Sequence, residues 1–153
     1  MNRIAELLPL SNVAVGVDAA SKRDLFATVG ALFEASGGLA RGAVVDALSA
    51  REKLGSTGLG QGIAIPHGRI KGLKEARAAF VRLAQPIPFD APDGRPVSQV
   101  FVLLVPEQAT EQHLELLSDL AHMFSERAFR ERLAAAPDAA AAWSTIREWA
   151  PVA

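Results

Sequence analysis

The sequence predicts an α/β domain, a single mixed β-sheet of about five strands with helices on both faces. Three observations carry that prediction. Short β-branched or continuous apolar runs alternate along the chain with segments of helical periodicity, as they do where one sheet is covered by helices. Residues 100–105 (VFVLLV) are apolar throughout and end at Pro106, which marks a central strand buried on both faces. The connection over residues 85–96, rich in Pro, Asp and Gly, is too short for a helical crossover, so the strands it joins run antiparallel.

In chain order, the β-branched stretch Val13 to Val17 reads as a first strand. Over residues 21–35, Leu25, Val29, Leu32 and Phe33 fall at i, i+4, i+7 and i+8, one face of a helix. Ser21 with Asp24 three residues on resembles a capping pair, and Gly37-Gly38 ends the helix. A second helix is predicted over 41–53, with Val44, Val45 and Leu48 on its buried side and Gly55 capping its far end. Ile63-Ala64-Ile65 is a short buried strand that Pro66 stops, because proline lacks an N–H and fixes φ. Residues 76–83 alternate in part and read as a strand with one wet edge. Three helices follow, over 110–124, 125–135 and 138–149; Pro137 and Asp138 separate the last two as a break and an N-cap. No repeat or interdomain linker interrupts residues 1–153, so one domain is expected.

Composition narrows the function classes. Sixteen basic and seventeen acidic residues leave a net charge of −1, which does not suggest a nucleic-acid or anionic-membrane surface. The absence of cysteine removes disulfides, thiolate catalysis and Cys-type zinc sites, and fits a cytoplasmic protein. Glu6 and Pro9 interrupt the apolar N-terminal patch, a poor signal peptide, and no run of about 18 apolar residues predicts a membrane-spanning helix.

The chemistry concentrates in residues 51–69, REKLGSTGLGQGIAIPHGR. Glycines at 55, 58, 60 and 62 let a backbone turn and approach a ligand closely. The loop is not a nucleotide-binding one. Gln61-Gly62 stands where a phosphate loop needs Lys and Ser/Thr, the glycine spacing fails the dinucleotide pattern, and a strand follows instead of a helix. His67, between Pro66 and Gly68 and followed by Arg69, sits at a strand end near positive charge. Imidazole is a good nucleophile toward phosphorus, and a phosphoryl group on nitrogen stays labile enough to be passed on. His113 falls near a helix N-terminus, which favours anions. Arg51, late in the second helix, can fork onto phosphate oxygens. Each of these three residues also has an ordinary structural reading when taken alone. Ser56 and Thr57 offer hydroxyls to the same site or to the loop backbone. His122 lies nine residues beyond His113, about 900° of helical rotation, and so faces away from it. Two histidines without a nearby carboxylate cluster make a poor metal site.

The stretch from Arg51 to Gly68 strongly resembles the signature of the fructose/mannitol-type EIIA domains of the bacterial phosphoenolpyruvate-dependent phosphotransferase system, and it is most similar to the nitrogen-regulatory branch of that family. The 86–89 turn, the 100–106 strand and the His113-Leu114 pair also fall where the family has counterparts. The departures are Leu59, Gln61 and Arg69, where relatives often have Ile, Asn and Lys; Arg69 keeps the charge. The resemblance implies a transferase component that carries a phosphoryl group on His67, received from a phosphorylated HPr-like protein. His113 and Arg51 would support the transfer, with Ser56, Thr57, Gly58, Gly60 and Gly68 forming a phosphoryl-binding loop. No cofactor or metal is implied. Phosphorylation state would be read by regulated partners such as kinases or potassium transporters. Two alternatives stand beside this: a soluble EIIA passing phosphate to a sugar-specific EIIB, and a binding module without transfer. Homodimerisation is left open by the sequence.

Overall fold

The computed structural model describes residues 2–108 and 111–150. After helix α1 (Arg3–Leu7) and a 3-10 turn at Leu10–Asn12, the chain lays down strand β1 (Val13–Val17) and helices α2 (Lys22–Gly37) and α3 (Arg41–Glu52). Four strands follow in quick succession: β2 (Gly58–Gly60), β3 (Ile63–Ala64), β4 (His67–Ile70) and β5 (Arg77–Ile87). The chain closes with β6 (Val97–Pro106) and helices α4 (Glu111–Ser125), α5 (Arg127–Ala135) and α6 (Ala139–Glu148). The strands form one sheet of six in the order β1-β5-β6-β3-β2, with β4 also paired to β6. Strand β5 runs antiparallel to β6, whereas β1 is parallel to β5, and β3 and β4 are parallel to β6. The sheet is therefore mixed, for the reason the short 85–96 connection gives.

Alternation along the central strands feeds two cores. On one face Phe80, Phe101 and Leu103 meet Leu120, Phe124, Phe129 and Ile146 of the three C-terminal helices. On the other, Ala79, Val81, Val102 and Leu104 meet Leu25, Val29, Phe33, Val44 and Leu48 of α2 and α3. Helix α2 is capped as its sequence indicates: Ser21 Oγ accepts from Asp24 N at 3.2 Å, and Gly38 closes the helix with φ +70°.

Several boundaries differ from the sequence expectation. Pro66 interrupts the 63–65 strand without ending the pairing. Its carbonyl still accepts from Leu103 N at 3.0 Å, and the chain resumes as β4 alongside residues 103–106 of the same β6. His67 thus follows β3, across Ile65 and Pro66, and also opens β4. The glycine loop contributes a three-residue edge strand, β2, antiparallel to β3. Strand β5 lacks the expected wet edge: residues 78–81 are fully buried because β1 and β6 flank them, and exposure begins only at 84–86. It also runs through Pro86, at a register shift that spares the ladder the missing N–H. Helix α3 ends at Glu52 with the right-handed Lys53 as its C-cap; Gly55 lies two residues beyond the cap, with φ +152°. Thr110, the expected start of the fourth helix, lies outside the described residues. Helix α1 was not foreseen. Asn2 caps it, accepting from Ala5 N at 2.8 Å, and Arg3 anchors it to Glu115 and Asp119 of α4.

Candidate phosphoryl-transfer site

Helix α3 lies close against β4. A Cβ on Gly68 would stand 3.0 Å from the backbone carbon of Ala47, so only glycine permits this approach without displacement. The consequence is that Arg51, one turn beyond Ala47 on α3, reaches His67 on β4. Arg51 Nε donates to His67 Nε2 at 3.2 Å, and Arg51 Nη1 donates to the carbonyl of Gly55 at 2.9 Å. His67 Nδ1 lies 2.9 Å from the carbonyl of Ile65. A carbonyl can only accept and a guanidinium can only donate, so Nδ1 carries the hydrogen and Nε2 the lone pair.

Burial is the largest influence on this imidazole and pushes it below its ordinary value of 6.5. The Ile65 carbonyl opposes that shift, the Arg51 charge adds to it, and Glu52 opposes it. The ring is neutral at neutral pH, with its nucleophilic nitrogen set in one tautomer.

His67 and Arg51 line a cavity of about 660 Å³ whose other wall is the start of α4. His113 lines the same cavity, as do Gly68 and Arg69. Arg69 is two residues beyond His67 on β4, and its Nη1 donates to the carbonyl of Glu107 in the turn leading toward α4. Leu54 and Leu114 border the cavity while 84% and 67% exposed. Strand–helix packing therefore brings together Arg51, His67, Gly68 and His113. Among the described residues no group of three or more His, Cys, Asp or Glu side chains converges as metal ligands would. His122 is elsewhere, its Nε2 3.4 Å from Glu126 and its ring edge-on to Trp149.

The remaining loop residues do not line the cavity. Ser56 Oγ donates to the carbonyl of Phe89 and accepts from Gly58 N. Thr57, 6% exposed, donates from both its N and its Oγ1 to Glu52. Gly58 packs against Ala91, where a Cβ would meet the Ala91 Cβ at 2.9 Å, and Gly60 takes φ +90° beside Asp93. Their hydroxyls and glycines are engaged in building the loop. Two residues with no local signal complete that construction. Glu52 receives Thr57 and Lys22, and Asp93 accepts from Gln61 N and Arg95 N. Neither residue stands out in the sequence, because an acidic side chain on a helix end or in a turn is normally solvated.

The domain is a central mixed sheet between two helical layers, with a strand-borne neutral histidine held by an arginine at the rim of a cavity. The chain belongs to the phosphoenolpyruvate-dependent sugar phosphotransferase system EIIA 2 family, whose model matches residues 6–149. Within it, the chain is 52% identical over 103 residues to a nitrogen regulatory protein of Pseudomonas aeruginosa, 67% of each chain being covered. The crystal structure of nitrogen regulatory protein IIA-Ntr from Neisseria meningitidis superposes with a TM-score of 0.89 at 50% identity, covering 95% of this chain and 99% of that one. The fold also matches enzyme IIA mannitol of Escherichia coli, solved in complex with phosphorylated enzyme IIB mannitol. That match has a TM-score of 0.75 at 21% identity and covers 94% of this chain and all of the other.

Proposed function

We propose that the chain is a regulatory phosphocarrier of the nitrogen branch, accepting a phosphoryl group on His67 Nε2 from the phosphohistidine of an HPr-like protein. The observation that carries the reading is the tautomer of His67: the Ile65 carbonyl takes the Nδ1 hydrogen and leaves a lone pair on the nitrogen that Arg51 faces. In the transfer, that lone pair forms the new N–P bond as the donor's N–P bond breaks, and the bonding electrons return to the donor imidazole. The Nδ1 hydrogen stays on the ring, bonded to Ile65 O, where its charge offsets the phosphoryl oxygens. Arg51, displaced from the lone pair, is already beside the oxygens that arrive. His113 supplies a second donor from the opposite wall. Catalysis is positioning and electrostatics, with no bond to the protein other than N–P. The glycine loop supports the site by holding its backbone close to α3.

The nitrogen-branch assignment is supported by relatives that carry nitrogen regulatory names at about half identity. In this reading the protein acts in the cytoplasm. A phosphoryl group adds about two negative charges beside the exposed Leu54 and Leu114, which alters docking of regulated partners such as kinases or potassium transporters. The test is label transfer from phosphoenolpyruvate through the first enzyme of the system and carriers of either branch. Acid-labile, alkali-stable label that is lost in His67→Ala is the expected result, with preference for the nitrogen-branch carrier. Preferential transfer onward to a sugar-specific EIIB would assign the sugar branch instead. No label from either donor on folded protein would leave a binding module.

A further inference from the structure

Glu52 follows Arg51 directly, yet its side chain is only 7% exposed. Its carboxylate accepts from Thr57 Oγ1 at 2.7 Å, Thr57 N at 3.1 Å and Lys22 Nζ at 2.9 Å. Lys22 opens α2 and also stands 4.6 Å from the ring centre of Phe89, while Ser56 is bonded to the Phe89 carbonyl. One buried carboxylate thus ties together the start of α2, the end of α3, the glycine loop and the connection beyond β5. A carboxylate withdrawn from water to this degree is tolerated only because its acceptor sites are filled. The same loop presents the Gly55 carbonyl that holds Arg51 Nη1, so the guanidinium has two anchors, one on the loop and one on His67.

We propose that Glu52 is a positioning residue for the transfer site: through Thr57 and Lys22 its carboxylate holds the 55–60 loop against the end of α3, and so keeps the Arg51 guanidinium on His67 Nε2. This deepens the phosphocarrier reading and rests on it for its kinetic consequence alone. The charged and titratable groups around His67 are Arg51 and Glu52 on α3, Arg69 on β4, and Glu111 and His113 on α4. Of these, Arg51 reaches the loop at the Gly55 carbonyl and Glu52 reaches it at Thr57.

The experiment is to compare the wild type, Glu52→Gln and Thr57→Val, using the initial rate of phosphoryl acceptance and the 15N-detected titration of His67. Glu52→Gln is expected to lower acceptance about tenfold through loss of alignment. It is also expected to move the His67 Nε2 resonance, because the guanidinium loses its hold on that nitrogen. Thr57→Val keeps the charge and breaks the 2.7 Å bond; it is expected to lower the rate about threefold and to raise the His67 titration, because the guanidinium that lowers it is loosened. A wild-type rate in folded Glu52→Gln overturns the proposal, and so does a rate loss with an unmoved Nε2 resonance, which would reduce Glu52 to a fold-stabilising group. If Glu52→Gln does not fold, a wild-type rate in Thr57→Val overturns it. If the wild type accepts no phosphoryl group, the carrier reading falls. The Nε2 shift in Glu52→Gln and the titration in Thr57→Val then report the Glu52–Arg51–His67 alignment by themselves, and unmoved signals overturn it.

Discussion

Arg51 Nε donates to His67 Nε2 at 3.2 Å, so in the proposed transfer the group that holds the lone pair stands beside the arriving phosphoryl oxygens. The two are set by different elements, α3 and β4. Replacing Arg51 by Met is therefore expected to lower the rate of acceptance about a hundredfold, the typical loss for one oxyanion donor. It also raises the His67 titration, since the guanidinium charge lowers it. Arg51→Lys recovers part of the rate but not the Nε contact, because an ammonium has no planar fork. Single-turnover labelling and NMR titration check both.

Burial places the folded-state titration of His67 below the ordinary 6.5. Phosphoryl acceptance is accordingly expected to stay level as pH falls through 6.5 and to decline only at lower pH, once the ring is protonated. The stability consequence has a definite sign. Above 6.5 both folded and unfolded rings are neutral and the contribution is fully present. As pH falls from there toward the folded value, the unfolded chain takes the proton first and stability drops. Urea denaturation at about pH 7.5 and about pH 5 should show a larger loss for the wild type than for His67→Gln.

The close approach of β4 and α3 rests on Gly68. A methyl group there would lie 3.0–3.1 Å from the backbone and Cβ of Ala47. Gly68→Ala is expected to cost about 1–3 kcal/mol through overpacking, and to slow acceptance by pushing Arg51 away from His67. A fall in the urea midpoint together with a slower label rate is the predicted pair of results. A fall in midpoint alone would separate the packing from the site.

Phe101, fully buried on β6, pairs across the antiparallel ladder with Phe80 and meets Phe124 edge-on at 6.2 Å. Phe101→Ala removes this ring from the C-terminal helical face of the sheet and is expected to destabilise the domain by about 3–5 kcal/mol. Because Arg51 and His67 stand on α3 and β4, the folded variant should still accept label. Chemical denaturation and labelling measured on the same preparation test the separation.

Local pattern revealed much of this molecule. The amphipathic spacing of Leu25, Val29 and Phe33 marked α2, the continuous run at 100–105 marked β6, and the short proline-rich connection marked the antiparallel pair. Each of these is a nearest-neighbour property, written in residues a few positions apart. Strand β4 escaped because a four-residue strand starting His-Gly-Arg carries no alternation strong enough to read. Helix α1 escaped because five residues hold too little periodicity and are stabilised mainly by distant partners on α4.

The sequence by itself determined the candidate acceptor and its immediate setting: an imidazole after a proline, a glycine beside it, and an arginine one loop upstream. Only the tertiary structure decided that Nδ1 carries the hydrogen, that Arg51 holds Nε2, that His113 faces the same cavity, and that Ser56 and Thr57 spend their hydroxyls on the loop. The reason is physical. Periodicity records which face of an element is apolar. The partner of a hydrogen bond is set by how closely two elements pack, and here that distance depends on the missing Cβ of one glycine against the backbone of one helix.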